Sequence, residues 1–287
     1  MRKYCLSLLL LFLTLVSNAV EPPKREIRGV WLTTVYGLDW PHNPATTETG
    51  RKAQQRDVCD ILDRLQDANF NTVFLQVRMR GDVIWRSAIE PASKTFSGKY
   101  GMMPGYDPLA FVVDECHKRG MECHAWFVTF LLGTDKSVKE QGKLSVVRRQ
   151  PKLCKRHNGE WYLDPGVPGT SDYVLSLVKE LVNGYDIDGI HFDYIRYPEQ
   201  AKSFPDKNLY NKYGKKRPLA EWRRENINKM VYRIYDWVKS VKPWIQVSSS
   251  PLGKYNRIER VPNAGWTAYE SVFQDPKMWM QNGKQDM

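Results

Sequence analysis

Histidine and cysteine are scarce in this sequence, and neither is spaced as metal ligands usually are. The 287 residues include 5 histidines and 5 cysteines. No two histidines have metal-binding spacing on one predicted helix, and no two cysteines form the close pair that holds a zinc ion. The sequence therefore predicts no metal site, and nothing in it indicates a cofactor.

Long hydrophobic runs are also missing, apart from one near the start of the chain. The run Leu6–Val16 is shorter than the roughly 20 residues that a membrane-crossing helix needs. It follows a short basic start and precedes the small residues Ser17 and Ala19, which is typical of a secretory signal peptide. We therefore predict a signal peptide over residues 1–19, cleaved near Ala19. The mature protein would be periplasmic or extracellular, with no stable membrane anchor.

Four cysteines follow the predicted signal peptide, at Cys59, Cys116, Cys123 and Cys154. Export would place them in a compartment where disulfides can form. Cys59 and Cys116 fall on apolar faces of predicted helices and Cys123 falls in a predicted strand, so we predict buried free thiols. One bridge, between Cys116 and Cys123 or involving Cys154, is the alternative.

Acidic residues are outnumbered by basic ones, 32 to 43, which gives a formal net charge of +11. This excess suits an anionic partner such as a cell-wall glycan or a membrane surface, although a solvated lysine-rich surface has the same composition. Export argues against nucleic acid as the partner. The basic residues cluster at Arg148, Arg149, Lys152, Lys155 and Arg156, and again at Lys212, Lys215, Lys216 and Arg217.

Five short segments have strand patterns, and helical patterns lie between them. The predicted strands are Arg28–Thr34, Thr72–Arg78, Glu122–Val128, Gly189–Ile195 and Ile245–Pro251. Apolar residues recur at helical spacing in three groups: Val58, Ile61, Leu62 and Leu65; Val174, Leu177, Val178 and Leu181; Ile227, Met230, Val231 and Ile234. This alternation predicts an α/β fold in which helices surround a parallel sheet.

The fourth predicted strand carries the clearest indication of a functional site. Residues 188–198 read DGIHFDYIRYP. Alternate side chains of a strand share a face, so His191 and Asp193 point one way while Ile190 and Phe192 point the other. A polar group buried without a partner costs roughly 2 to 7 kcal/mol. The polar face is therefore either a set of paired structural groups or a site, and we favour a site.

Motifs across nearly the whole chain resemble those of one protein family. They are REIRGVWLTTVYGLDWP (25–41), NTVFLQVRMRGD (71–82), GMECHAWF (120–127), YLDPGVPGTSDYV (162–174), DGIHFDYIRYP (188–198) and VSSSPLG (247–253). In order and spacing they resemble the glycosyl hydrolase-like family 10, a group of bacterial exported proteins with TIM-barrel catalytic domains. The resemblance implies a (β/α)8 barrel that hydrolyses glycosidic bonds in a cell-wall or other polysaccharide, such as peptidoglycan-type glycan strands.

The chain is short for a complete barrel of this kind. Eight strands with their helices take about 250 residues, yet the five predicted strands already extend to Pro251. The residues that follow are too few for three more strand-helix units of roughly 30 residues each. The resemblance places the next strand at the final GKQDM. We interpret residues 20–287 as one TIM-barrel domain truncated at its carboxyl end, with a naturally short, open barrel as the alternative.

Substrates of TIM barrels bind at the carboxyl ends of the strands. On the inner faces we expect Gln76 with Arg78, His124 with Trp126, and His191 with Asp193, converging with Ser248–Ser250. Glycoside cleavage commonly uses two carboxyl groups. Asp193 is the first candidate, and a nearby Arg78 or His191 would keep it ionised.

The second carboxyl group has several candidates. Asp82 follows the second strand, Asp39 follows the first, and Asp164 precedes a predicted helix. The partner of Asp193 could instead belong to strands that are missing from a truncated barrel. Substrate binding is predicted for Arg78, His124, Trp126, His191, Tyr197, Trp40 and Asp164, with the aromatic rings as flat surfaces for sugar rings.

Two residues depart from the family pattern. Val128 stands where the family usually has asparagine, and Tyr194 stands where a second acidic residue often follows Asp193. Both departures bear on substrate specificity. Two other functions are considered: a metal-dependent polysaccharide deacetylase with His124, His191 and Asp193 as ligands, and a glycan-binding protein without catalytic activity.

Overall fold

The structure, a computed structural model, describes residues 26–260 and 265–287. The predicted signal peptide and its cleavage site at Ala19 lie outside the described residues. Across the part of the chain that is described, no helix is both long enough and apolar enough to cross a membrane.

The described residues contain eight strands in two sheets. The strands are β1 (Gly29–Leu32), β2 (Thr72–Arg78), β3 (Glu122–Val128), β4 (Leu131–Thr134), β5 (Cys154–His157), β6 (Glu160–Leu163), β7 (Gly189–Asp193) and β8 (Gln246–Ser249). Five of them form a parallel sheet in the order β1-β2-β3-β7-β8. These are the five strands predicted from the sequence, so the parallel sheet is confirmed.

Eight helices lie between the strands along the described residues, and two more follow β8. They are α1 (Glu48–Asp67), α2 (Lys94–Ser97), α3 (Pro108–Lys118), α4 (Asp135–Gln141), α5 (Val146–Arg149), α6 (Thr170–Gly184), α7 (Lys207–Leu209), α8 (Leu219–Val241), α9 (Ala268–Ser271) and α10 (Pro276–Gln281). Side-chain caps begin two of the long ones: Thr47 accepts from the backbone N–H of Gly50, and Asp107 from that of Ala110. The three groups of residues with helical spacing lie in α1, α6 and α8, and most of their members are buried.

The two faces of the parallel sheet differ in character. One row of register neighbours across β2, β3, β7 and β8 is buried in the hydrophobic core: Leu75, Ala125, Ile190 and Val247. One residue further along each strand, the row of neighbours is Gln76, Trp126, His191 and Ser248. Because successive side chains alternate between faces, the first set belongs to the apolar outer face and the second to a polar inner face. The inner face is where the sequence predicts a site.

A second sheet lies between β3 and α6 and was not predicted. It is antiparallel, in the order β4-β6-β5. Its strands have four residues each, and the polar residues of β5 obscure the alternation that marks a strand. One feature of the sequence did indicate a hairpin here. The turn between β5 and β6 is Asn158-Gly159, where both residues have positive φ, and this dipeptide favours a tight hairpin.

The inner face of the sheet is partly open. β1 and β8 are the edge strands, and Trp31 on β1 is 48% exposed. The final residues lie beside β8: the backbone N–H of Asp286 donates to the carbonyl oxygen of Val247 at 2.9 Å, and the Asp286 carboxylate accepts from the N–H of Val247 at 2.7 Å. The sheet therefore has five parallel strands and the topology of an incomplete TIM barrel.

The four cysteines of the described chain are free thiols. Cys116, Cys123 and Cys154 are buried, and Cys59 is half-buried. The predicted burial is thus confirmed for Cys116 and Cys123, whereas Cys59 is only half-buried.

Candidate active site

Asp193 ends β7, and three hydrogen-bond donors converge on its carboxylate. The indole Nε1 of Trp126 donates to Oδ2 at 3.1 Å. The Ser250 hydroxyl and the backbone N–H of Tyr194 donate to Oδ1 at 3.0 and 2.8 Å. Strands β3, β7 and β8 are adjacent and parallel, so their carboxyl ends meet at one edge of the sheet. The side chain is half-buried, which leaves part of it open to a ligand.

His191, two residues before Asp193, is a neutral imidazole in this environment. Burial, together with a smaller effect of the nearby His124, lowers its pKa to about 4. The Trp31 indole N–H donates to Nε2 at 3.4 Å, so the ring proton is on Nδ1, which faces the Ser248 hydroxyl at 2.9 Å. The expectation that His191 keeps Asp193 ionised is therefore wrong. Its side chain is 4% exposed and lines a cavity with Trp31 and Phe74, so substrate contact by His191 stays a prediction.

His124 lies deeper on the same face and has no exposed surface. Burial is the main cause of the lowering of its pKa, and Nε2 lies 3.1 Å from a carboxylate oxygen of Glu122. The ring packs over Gly189 of β7, where an added Cβ would lie 2.3 Å from Nδ1. A substrate cannot reach this imidazole, so the predicted binding role of His124 is contradicted.

Arg78 does not face the site, because a β-bulge interrupts β2. Gln76 pairs with Trp126, but Arg78 pairs with Phe127, so the register shifts between the two residues and they do not share a face. The guanidinium lies 5.0 Å from the Phe127 ring and forms two 2.7 Å hydrogen bonds with Glu90. Both charged side chains are fully buried. The structure thus contradicts both the predicted substrate contact of Arg78 and its predicted proximity to Asp193.

Asp82 lines a cavity of about 310 Å³ beyond the carboxyl ends of β1 and β2. The other lining residues are Val35, Tyr36, Met79, Arg80, Ser93, Lys94, Thr95, Tyr100, Thr134, Lys136, Ser137 and Glu140. Burial, together with the negative charge of Glu90, raises the pKa of Asp82 to about 7. The positive charges of Arg78 and Arg80 reduce this increase. Its Oδ1 is buried without a hydrogen-bond partner. A carboxyl group in this state carries a proton near neutral pH and can donate it.

Replacing Asp82 by asparagine should stabilise the protein at alkaline pH. The unfolded chain releases this proton near pH 4, whereas the folded protein holds it up to about pH 7. The stability contributed by the protonated group is therefore fully present below about pH 4 and is lost as the pH rises from about 4 to about 7, by up to roughly 4 kcal/mol. Thermal melting at pH 4 and pH 8.5 measures this: the melting temperature of Asp82→Asn relative to the wild type should be much higher at pH 8.5 than at pH 4.

Asp60→Asn provides the control for this measurement, because Asp60 is an exposed carboxylate on α1. It should change the melting temperature by a similar small amount at both pH values. Equal melting of the Asp82→Asn variant and the wild type at pH 8.5 would contradict the raised pKa.

Two predicted aromatic platforms are core residues instead. Trp40 has no exposed surface, its indole N–H donates to the carbonyl oxygen of Gln54 at 2.8 Å, and its ring packs edge-on against Phe96. Tyr197 is also fully buried, against Phe204 and Phe273. Neither ring can stack on a sugar, so both predictions of substrate contact are contradicted.

The aromatic side chains that a ligand can reach lie elsewhere. Trp126 is half-buried beside Asp193. Tyr36 lines the Asp82 cavity and is 71% exposed, and the Arg80 guanidinium lies 5.2 Å from its ring. The sequence analysis missed Tyr36, although its position just after β1 is a loop in which TIM barrels place functional residues.

The other two acidic candidates have structural contacts. The Asp39 carboxylate is exposed and accepts from the backbone N–H of Thr33 at 2.8 Å, which stabilises the turn after β1. Asp164 is fully buried and accepts from the N–H of Gly166 at 2.9 Å. Burial raises the pKa of Asp164 to about 6. A substrate cannot reach Asp164, which contradicts its predicted binding role.

The ligand set considered for a deacetylase is not assembled. His124 and His191 are bonded to different partners, Glu122 and Ser248, while Asp193 accepts from Trp126 and Ser250. Among residues 26–260 and 265–287, no three His, Cys, Asp or Glu side chains are grouped so that they could hold a metal ion.

The fold of the parallel sheet and its helices has a counterpart among proteins of known structure. The fold is similar to that of alpha-L-fucosidase isoenzyme 2 from Paenibacillus thiaminolyticus, with a TM-score of 0.51 and 17% identity, over 81% of this chain and 33% of that one. Residues 26–287 match the model of the family described as Glycosyl hydrolase-like 10. The chain belongs to this family.

Two curated relatives are similar to most of the chain. Glycosyl hydrolase DigH of Escherichia coli K12 is 36% identical over 285 residues, which cover 93% of this chain and 65% of DigH. Glycosyl hydrolase YngK of Bacillus subtilis 168 is 33% identical over 274 residues, which cover 91% of this chain and 53% of YngK. The chain therefore spans between half and two thirds of the length of these relatives.

Proposed function

We propose that this protein is an exported glycoside hydrolase that cleaves a cell-wall polysaccharide, of the peptidoglycan glycan type. Membership of a glycosyl hydrolase-like family and a glycosidase-like fold support hydrolysis of glycosidic bonds. Catalytic activity, a cell-wall glycan as substrate and export are the parts of the proposal that go beyond family membership.

The observation that carries the proposal is that Asp193 and Asp82 have opposite environments. Asp193 accepts hydrogen bonds from three donors, which is how a carboxylate is usually bound. Asp82 is buried with an unpartnered oxygen, and its pKa of about 7 keeps it largely protonated in mildly acidic solution. Glycosidases need this division: one carboxylic acid that protonates the leaving oxygen and one carboxylate on the other side of the reaction.

We assign the general acid to Asp82 and the nucleophile, or the base that activates water, to Asp193. Asp39 is less suited to the acid role, because it is exposed and already accepts a backbone hydrogen bond. Trp126 both orients the Asp193 carboxylate and offers a partly exposed ring beside it. Asp193, Asp82 and Trp126 are the three sequence-predicted residues at the centre of this proposal.

The walls of the Asp82 cavity support an acid-bearing sugar as ligand. Tyr36 presents an exposed ring, on which the C–H face of a pyranose could stack. Arg80 and Lys136 line the same cavity, where Glu140 is already paired with Lys94. Positive side chains beside an aromatic ring suit a glycan whose sugars carry carboxylates, as peptidoglycan-type strands do.

The experiment that tests the function is digestion of purified glycan strands. Peptidoglycan strands freed of peptides and neutral chitin oligosaccharides would each be incubated with the protein, and new reducing ends counted. We expect new ends from the peptidoglycan strands. Tight binding to the strands without new reducing ends would instead support a glycan-binding protein without catalytic activity.

Export can be tested independently of activity. The run Leu6–Val16 and the small residues Ser17 and Ala19 predict a mature protein that begins near Val20. N-terminal sequencing of the protein recovered from a bacterial host would give this start. An intact Met1 on protein in the membrane fraction would contradict the proposal.

A further inference from the structure

The peptide group between Asp193 and Tyr194 is held at both of its ends. Its carbonyl oxygen, that of Asp193, accepts from the backbone N–H of Thr129 at 2.8 Å and from the Thr129 hydroxyl at 2.9 Å. Its N–H, that of Tyr194, donates to Oδ1 of the Asp193 carboxylate at 2.8 Å. The orientation of this one peptide therefore decides whether the carboxylate keeps a donor.

This peptide adjoins a residue in an unfavourable backbone conformation. Tyr194 has φ of 50°, in the left-handed region that bulky residues rarely adopt. Such a conformation is unfavourable and persists only where neighbouring contacts fix it. If the peptide rotated to relieve the strain, the N–H of Tyr194 would turn away from the Asp193 carboxylate.

Thr129 itself is fixed by a buried ion pair. It has no exposed surface, and its carbonyl oxygen accepts from Nη1 of Arg78 at 2.9 Å. Arg78 makes two 2.7 Å hydrogen bonds with Glu90, and the Tyr173 hydroxyl donates to Glu90 at 2.9 Å. The Thr129 donors are therefore part of a rigid frame beneath the end of β7.

We propose that Thr129 is a positioning residue for Asp193, and that its hydroxyl holds the Asp193–Tyr194 peptide in the orientation that aims the N–H at the carboxylate. Because Asp193 is assigned as a reacting group, the effect on catalysis rests on the proposed function. The effect of Thr129 on the geometry of Asp193 does not depend on the proposed function. The backbone N–H of Thr129 already satisfies the carbonyl oxygen, so the second bond adds orientation beyond what burial requires.

The Trp126 indole provides a readout that needs no catalysis. Its N–H donates to Oδ2 of Asp193, so its proton and nitrogen NMR signals report the position of the carboxylate. Trp126→Phe identifies the signal. We expect Thr129→Val to shift it and Thr129→Ser, which keeps the hydroxyl, to leave it near the wild-type position.

Thr170→Val is the matched control. Thr170 is also fully buried, and its hydroxyl donates to the carbonyl oxygen of Asp164 at 2.8 Å, outside the proposed site. Both valine variants lose one threonine-to-carbonyl hydrogen bond, so a general loosening of the fold would affect both. We expect the Trp126 signal to shift in Thr129→Val alone. Should Thr129→Val not fold, Thr129→Ala and Thr170→Ala give the same comparison.

Kinetics separate this proposal from the proposed function. On a glycan that the wild type cleaves, Thr129→Val should lower kcat about tenfold with KM nearly unchanged, and Thr129→Ser should recover most of it. An unshifted Trp126 signal, or an equal shift in Thr170→Val, would overturn the positioning role. A shift confined to Thr129→Val in a protein that cleaves no glycan would support the positioning role and overturn the hydrolase function.

Discussion

Replacing Asp193 by asparagine should abolish glycan cleavage while leaving the fold intact. Asparagine has nearly the same shape and keeps one oxygen acceptor, but it cannot serve as a nucleophile or accept a proton from water. We expect kcat to fall at least about 1,000-fold, equivalent to about 4 kcal/mol of barrier. The measurement is the rate at which reducing ends form on a glycan that the wild type cleaves.

The Asp60→Asn variant again provides the comparison, because it removes an exposed carboxylate on the far helix α1. It should retain the wild-type rate, and both variants should melt cooperatively. Near wild-type turnover by Asp193→Asn would show that the reacting carboxylate lies elsewhere.

Replacing Asp82 by asparagine should remove the general acid. Wild-type activity should decline as the pH rises above about 7, because only protonated Asp82 can donate to the leaving oxygen. The variant should lose this decline and cleave natural glycans about 100- to 10,000-fold more slowly. The pH dependence of kcat/KM for both proteins measures the effect.

The leaving group provides a sharper test of the acid role. The acidic phenol of an aryl glycoside leaves without needing a proton, so Asp82→Asn should cleave this substrate with a kcat/KM, which reports the first bond cleavage, close to that of the wild type. Equal losses on the aryl glycoside and the natural glycan would assign Asp82 to binding or structure instead.

The parallel sheet could be predicted because its strands are bounded by turns and carry unambiguous apolar positions. Gly189–Asp193 illustrates this: Ile190 and Phe192 are buried on the outer face, as their alternation predicts. The antiparallel sheet was missed because Cys154–His157 is short and mostly polar. Such a strand is stabilised by its partners, which a local pattern does not reveal.

The site could be predicted only in part, because sequence gives the direction of a side chain and not its depth. Asp193 and Trp126 were expected to meet, and their side chains are hydrogen-bonded. His124 has the expected direction but lies beneath other side chains. For Arg78 even the direction was wrong, since no residue pattern indicated the bulge in β2. The proton on Asp82 depends on the burial of its carboxyl group and then on the negative charge of Glu90, and both are set by the fold.

Across β3, β7 and β8, rows of apolar residues alternate with rows of polar residues, and this alternation has a consequence for the evolution of this protein. Substitutions at positions such as Ala125, Ile190 and Val247 act on stability, whereas those at Trp126 and Asp193 act on the proposed site. The two kinds of position alternate one by one along the same strands. Substitutions on the polar face can therefore change which ligand such a sheet binds without disturbing the packing of its core. One scaffold can in this way give rise to many ligand specificities.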